Sequence, residues 1–321
     1  VVGDPKAFAM AKREISILEK LPQHPNIVQY YGHAVCDTET KSKEVCLLFE
    51  LCPGGHLVDL LDRHKGVLSE SAILKVFQDI VTGVVMLHAQ SPPVQHRDLK
   101  VENVLLAANG SYKLCDFGSW SDERSDLAAL DKQALSALQD TIDRYTTMMY
   151  RPPEMVDFYQ QYVISEKVDC WMLGCILFTL MYYRHPFQDE SSLAIANARY
   201  HIPPEPQYSD RLSDLVHWLL ARDPNDRPSS AQLLEQLQNF YSDPPPVLPQ
   251  AVRERLEKER RLYEMPAAAS VGNHAEEPPV VKKVSKDREK KHKKHKDKDP
   301  KRSEADGDIW ARATAPLADA W

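Results

Sequence analysis

The chain has 321 residues, an apolar fraction of 43% and a formal net charge of −7, values that allow one large folded domain with a tail. The charge is uneven, because residues 282–302 hold 12 Lys or Arg against 4 Asp or Glu. The remainder is therefore acidic, so we predict no specific nucleic-acid partner for the folded part. The longest apolar run, 170–183, is too short to cross a bilayer and predicts a buried core helix.

The six cysteines form no CxxC pair, and several lie inside apolar runs. This usage favours buried thiols in a reducing compartment over a disulfide framework. The N-terminus carries no secretory signal pattern. These features predict a cytoplasmic location.

In chain order, apolar residues at helical spacing predict an amphipathic helix over residues 6–21. Two β-rich runs follow at 27–35 and 45–51. Ser69 is expected to cap a long helix, and short strands are expected at 104–106 and 112–115. From residue 166 the pattern is mainly helical, with Pro-rich interruptions. Residues 243–321 have too few apolar side chains to offset the entropy of ordering, so we predict a disordered tail, with a charged helix near 253–263.

Two motifs carry the chemistry. Residues 96–103 read HRDLKVEN and residues 116–118 read DFG. Together they resemble the catalytic loop and the metal-binding motif of protein kinases. Later landmarks fall in the same order, at 150–154 (YRPPE), 169–171 (DCW) and 226–228 (DRP). The resemblance implies an α+β bilobal fold over 1–242, with a partial N-lobe at 1–51 and a helical C-lobe at 52–242.

The resemblance also implies roles for individual residues. Asp98 would accept the proton of the substrate hydroxyl, and Lys100 would offset charge on the transferred phosphoryl group. Asn103 and Asp116 would hold Mg²⁺ against the phosphates of ATP, because Mg²⁺ prefers hard oxygen ligands. Each acid taken alone is more simply read as a surface loop residue. Their joint pattern favours catalysis.

Further positions follow from the same resemblance. The adenine side of the ATP pocket would be formed by Phe49, Glu50, Leu51, Cys52, Leu105 and Cys115. Glu14 matches the helix glutamate that pairs with a strand lysine. Asp169 would brace the catalytic loop, and Glu154 would pair with Arg227 in a structural role.

Lys100, together with Thr147, indicates serine/threonine rather than tyrosine specificity. In this class a threonine bridges the catalytic base and the lysine. The plainer interpretation of Thr147 is a solvated loop residue.

A Gly-rich loop and a strand lysine are missing from the sequence, and the first residue is Val1. Either the chain is truncated at its N-terminus, or it is a natural pseudokinase. The intact catalytic motifs favour truncation. We expect such a chain to expose apolar surface near Phe8, Ile15 and Leu18.

A finer resemblance rests on residues 114–119 (LCDFGS) and 145–157 (YTTMMYRPPEMVD), which are similar to the Numb-associated kinase family. That family implies phosphorylation of serine or threonine on endocytic, clathrin-adaptor proteins at coated membranes. It also implies a helix at about 155–162, while the insert 121–144 is rich in helix formers. Trp120 stands where a small residue is usual, and Pro152 where alanine is usual.

Alternatives remain open for two features. The activation segment is the stretch between the DFG and YRPPE motifs. Arg97 could bind a phosphate on this segment, with Ser121, Ser125 or Ser136 as candidates. The basic tail could bind an anionic membrane or another anionic partner, although a solvated charge run is the plainer interpretation. For the whole chain, the alternative to an enzyme is a catalytically inactive, kinase-like scaffold.

Overall fold

The computed structural model describes residues 5–37, 43–64, 67–188, 191–244 and 247–264, with side chains from residue 7 to residue 258. Most of the predicted disordered tail lies outside these ranges. Within them, the predicted α+β organisation is confirmed.

The first part consists of one helix and one antiparallel hairpin. Helix α1 (Pro5–Leu18) precedes strands β1 (Tyr30–Asp37) and β2 (Lys43–Phe49). The two strands pair in register through Val35 and Val45, with an irregularity at the start of β1. The helix and both strands lie close to their predicted positions.

The expected apolar exposure along α1 is wrong for two of its three residues. Ile15 and Leu18 are each only 6% exposed, and Phe8 is half-buried. Leu18 belongs to the same buried cluster as Ile27, so this face of α1 is covered by the body of the protein. Large apolar side chains are exposed on the hairpin instead, at Tyr31 and Leu48.

The second part is mainly helical. Ser69 caps its longest helix as predicted, accepting a hydrogen bond from the backbone N–H of Ala72 at 3.3 Å. The helices are α2 (Leu57–His64), α3 (Glu70–His88), α4 (Lys132–Tyr145), α5 (Pro153–Val156), α6 (Lys167–Tyr182), α7 (Ser192–Ala196), α8 (Asp210–Leu219), α9 (Ser230–Gln238) and α10 (Gln250–Glu264). Two-stranded pairs join β3 (Val104–Leu106) to β4 (Tyr112–Leu114) and β5 (Ser125–Asp126) to β6 (Val163–Ile164).

Helix α6 forms the centre of this part. Fourteen of its residues, from Val168 to Met181, are buried, so the helix has no polar face to offer to water. Helix α3 packs against it and against α9. In length and composition α3 is the one helix of the described residues that could cross a membrane, but its apolar side chains lie in the protein core.

The helix predicted at about 155–162 is wrong. Helix α5 ends at Val156, because Asp157 adopts extended backbone angles. A single 3-10 turn follows and stops at Gln161, whose backbone is left-handed. The long helix of this region is α4, which lies within the insert and begins at the cap Asp131.

His185 provides a test of the packing around α6. Burial lowers the pKa of His185 to about 3, and its ring lies edge-on to Tyr150 at 4.5 Å. In the unfolded chain, the imidazole of His185 has its ordinary pKa of about 6.5 and binds a proton below that pH. The folded chain does not bind this proton until the pH is much lower. Stability contributed by the neutral ring is present above about pH 6.5 and is lost as the pH falls.

We expect the free energy of unfolding to fall by about 1.4 kcal/mol through this group between pH 7.5 and pH 5.5. In His185→Leu this part of the loss should disappear. Urea unfolding at both pH values measures it, with the exposed His201→Leu as the matched control. Equal pH dependence in both variants and the parent would contradict the assignment.

Candidate active site

The carboxylate of Asp98 is the most heavily engaged group of the site. Its Oδ1 accepts from the backbone N–H of Thr147 at 3.0 Å and from the Thr147 hydroxyl at 2.7 Å. Its Oδ2 accepts from Lys100 at 2.8 Å and from Asn103 at 3.2 Å. Lys100 also donates to the Thr147 hydroxyl at 3.0 Å. Four donor groups from three residues therefore converge on one carboxylate.

Asp169, at the start of α6, holds the loop that carries Asp98. Its carboxylate is fully buried and accepts from the backbone N–H groups of His96 and Arg97, each at 2.8 Å. His88 lies 2.9 Å from the same carboxylate through Nε2 and 3.0 Å from the Ser230 hydroxyl through Nδ1. These hydrogen bonds lower the pKa of Asp169 against the opposing effect of burial.

Asn103 and Asp116 are joined through the backbone. The N–H of Cys115 donates to the carbonyl of Asn103 at 3.0 Å, and Asp116 follows directly with a positive φ of 63°. Asp116 is exposed, so its carboxylate is accessible to a ligand.

The donor set fits Mg²⁺. The amide nitrogen of Asn103 donates to the backbone carbonyl of Asp98 at 2.9 Å, so its oxygen is the atom available to a cation. The described residues contain no cluster of three or more His, Cys, Asp or Glu that could hold a metal alone. Two oxygen ligands suit Mg²⁺, which is usually bound by one or two side chains plus substrate phosphates.

Glu14 lies at the same end of the site. Burial and the nearby charge of Asp116 raise its pKa, against the opposing effect of the backbone N–H of Phe117. Glu14 and Gly118 line a groove of about 370 Å³, together with Ala7, Met10, Ala11, Val45 and Leu47. Helix α1 thus brings a carboxylate next to the DFG segment.

The six residues predicted for the adenine side differ in their exposure. Leu51 is 84% exposed, while Phe49, Cys52, Leu105 and Cys115 are half-buried. The side chain of Glu50 accepts from Lys113 at 2.6 Å and from the backbone N–H of Gln29 at 2.6 Å. The Glu50 side chain therefore ties the hairpin to β4. Its backbone N–H donates to the carbonyl of Gln29 at 2.9 Å, which leaves the backbone carbonyl of Glu50 for contact with a ligand.

Glu154 and Arg227 form a bidentate ion pair at 2.6 and 2.8 Å, with both side chains fully buried. The guanidinium also donates to three backbone carbonyls, and it stacks on Trp171 at 5.1 Å. Every face of this cation is thus occupied by protein. Because the pair is buried away from solvent, it can stabilise the fold but cannot contact a substrate.

Arg97 is 7% exposed, and its Nε and Nη2 have no hydrogen-bond partner among the described residues. Of the serines considered as phosphate carriers, Ser121 is buried and accepts from the backbone N–H of Glu123 at 3.2 Å. Ser125 is half-buried in β5, and Ser136 is exposed on α4. Ser121 is thereby inaccessible in this conformation.

Sequence reasoning missed three residues that shape the site. Arg151 joins α4 to the segment before Thr147, through Asp143 at 2.5 Å and the hydroxyl of Thr146 at 2.8 Å. His88 completes the shell of Asp169, and Arg13 contacts Trp120. The unusual Trp120 was the one signal that pointed to any of these contacts.

Comparison with known proteins identifies the class. Residues 4–237 match the protein kinase domain family, so the chain belongs to that family. It is 41% identical over 254 residues to a probable serine/threonine-protein kinase of Dictyostelium discoideum, covering 78% of this chain and 22% of that protein.

Two yeast proteins are also similar. Serine/threonine-protein kinase ppk30 of Schizosaccharomyces pombe is 37% identical over 245 residues, covering 76% of this chain and 26% of that protein. Actin-regulating kinase PRK1 of Saccharomyces cerevisiae is 37% identical over 249 residues, covering 77% and 30%. The chain spans less than a third of the length of each of these relatives.

Arg227→Met should lower the free energy of unfolding by about 3–5 kcal/mol, because it leaves the Glu154 carboxylate buried without its counter-charge. Replacing both partners, as Glu154→Met with Arg227→Met, should cost less than the single change. Denaturant unfolding measures both, with the exposed Arg199→Met as the control. A double variant less stable than the single one would show that the pair contributes more than mutual neutralisation.

Proposed function

We propose that this chain is the catalytic part of a serine/threonine protein kinase that transfers the terminal phosphoryl group of ATP to protein hydroxyls. The observation that carries the proposal is the convergence of Lys100, Asn103 and Thr147 on the carboxylate of Asp98. Family membership and the names of the relatives support the same activity.

The four hydrogen bonds to the Asp98 carboxylate indicate where a substrate hydroxyl would bind. A carboxylate has about four lone-pair positions, and here Asp98 uses all of them for protein donors. The contact from Asn103 to Oδ2 is the longest of the four, and the same amide donates to a backbone carbonyl. A substrate hydroxyl would take over this position on Oδ2, and Asp98 would orient it and accept its proton.

Lys100 remains beside that oxygen, where it would offset the charge of the phosphoryl group during transfer. Mg²⁺, when bound with ATP, would neutralise phosphate charge. Asn103 and Asp116 are the residues that would hold it, each through a side-chain oxygen. The half-buried residues Phe49, Cys52 and Leu105 would surround the adenine.

We place the chain in the Numb-associated kinase family and propose endocytic proteins, including clathrin adaptors, as its substrates. Support comes from the LCDFGS and YTTMMYRPPEMVD segments, and from similarity to a yeast protein named for actin regulation. The proposed location is the cytoplasm and the periphery of clathrin-coated membranes, with the basic tail contacting an anionic surface. Comparing phosphopeptides from cells that carry the parent protein or its Asp98→Asn variant tests the substrate class.

The second candidate is a kinase-like scaffold that holds partner proteins without catalysis. The two candidates differ in ATP binding. A melting temperature of the endogenous protein that rises with Mg²⁺ and ATP supports the enzyme, and an unchanged one supports the scaffold.

Asp98→Asn in the endogenous protein should lower kcat by about 10²–10⁴-fold, because the amide cannot accept the hydroxyl proton. The exposed Asp210→Asn is the matched control and should retain the parent rate. Initial rates of peptide phosphorylation measure both. Parent-like activity in Asp98→Asn would refute the assignment of the base.

Thr147→Val should lower kcat by about 10- to 100-fold, since it removes a hydrogen bond to a charged carboxylate and the acceptor for Lys100. Thr147→Ser keeps the hydroxyl and should stay within about threefold of the parent. The ratio of the two rates isolates the hydroxyl from the loss of volume. Equal rates would mean that Thr147 acts only through its backbone.

A further inference from the structure

Arg13 and Trp120 hold each other through three contacts, and we call this pair the clasp. The Arg13 guanidinium donates to the Trp120 carbonyl at 2.8 Å, and the indole N–H of Trp120 donates to the Arg13 carbonyl at 3.0 Å. The guanidinium also lies over the indole ring at 5.2 Å. Reciprocal side-chain-to-backbone bonds fix both position and orientation, which a single contact would not do.

The clasp adjoins a second contact between the same two segments. Glu14 follows Arg13 on α1, and it lines the same groove as Gly118, close to Asp116 and the backbone N–H of Phe117. The backbone N–H of Trp120 donates to the carbonyl of Phe117 at 3.2 Å. The rotation of α1 that breaks the clasp would therefore also move Glu14 away from Phe117 and Asp116.

Trp120 is the residue that the family pattern does not predict. A small residue at this position would keep the carbonyl that accepts from Arg13, but it would lose the indole donor and the ring. The ring is 7% exposed, so it is packed as well as hydrogen-bonded. The substitution thus adds two of the three clasp contacts.

We propose that Arg13 and Trp120 are positioning residues, which hold α1 in the orientation that places Glu14 beside the DFG segment. The catalytic role of Glu14 rests on the proposed function, whereas the orientation of α1 does not.

The simpler alternative is that Trp120 only fills space in the core, where it belongs to the main buried cluster. The positioning role and simple space filling are compared first in Trp120→Phe, which keeps a large ring but removes the indole donor. They are compared again in Arg13→Met, which keeps the length of the side chain but not its charge or donors. Space filling alone predicts some loosening in Trp120→Phe, which loses buried volume, but little change in Arg13→Met, because Arg13 is exposed.

Amide hydrogen exchange of the peptide covering residues 9–18 tests the orientation without requiring activity. We expect exchange to rise roughly tenfold in Trp120→Phe and in Arg13→Met, with peptides of α6 unchanged. Each variant removes a different hydrogen bond but both weaken the shared ring contact, so the double variant should show less than the product of the two increases. Arg13→Lys keeps a donor and should stay within about threefold of the parent.

Tyr159→Ala is the matched control, because this aromatic side chain is 96% exposed and distant in sequence from both segments. Parent-like exchange of 9–18 in Trp120→Phe and Arg13→Met would overturn the proposal. An increase that extends equally to α6 would also overturn it, since it would report a general loss of stability.

Kinetics then separate this proposal from the proposed function. In the clasp variants of the endogenous protein, kcat should fall roughly five- to tenfold while the KM for peptide stays within twofold, and Arg13→Lys should restore most of the rate. If exchange rises but the parent has no phosphotransfer activity, the proposed function fails and the positional role of the clasp stands. If the parent is active and kcat is unchanged in variants with raised exchange, the positioning role in catalysis is overturned.

Discussion

The buried carboxylate of Asp169 is the interaction on which the site depends. A charge with no solvent access is tolerated only if donors surround it, and two of its donors are the backbone N–H groups of His96 and Arg97. Arg97 has a φ of 68°, a left-handed conformation that costs a non-glycine residue about 1–2 kcal/mol. The hydrogen bond from its N–H offsets this strain, so the orientation of Asp98 is fixed by the N-terminus of a core helix.

The second constraint comes from the far side of the activation segment. Thr147 is 49 residues from Asp98 in sequence, yet it supplies two of the four donors to its carboxylate. Arg151 stabilises this arrangement. Its guanidinium donates hydrogen bonds to Asp143 near the end of α4 and to Thr146, the residue before Thr147. The insert helix is therefore part of the support of the site.

Local patterns predicted the elements well, and they predicted contacts between elements poorly. The cap at Ser69 and the buried helix α6 follow from side-chain chemistry and periodicity, which act over a few residues. The prediction of a helix at 155–162 is wrong because Asp157 has extended backbone angles, and hydrophobic periodicity does not reveal the conformation of a single residue. The burial of Ile15 depends on a surface that the sequence does not reveal, and the Arg13–Trp120 contact joins residues 107 apart.

These constraints place three carboxylates, those of Glu14, Asp98 and Asp116, around one ligand site. Lys100 is committed to Asp98 at 2.8 Å, so it offsets only part of this charge. Burial first, and then the charge of Asp116, raise the pKa of Glu14, since both disfavour its ionised form. A free nucleotide triphosphate would add further negative charge and be repelled. A divalent cation held by Asn103 and Asp116 would lower that repulsion, so the charges of the site would favour a metal–nucleotide complex over the nucleotide alone.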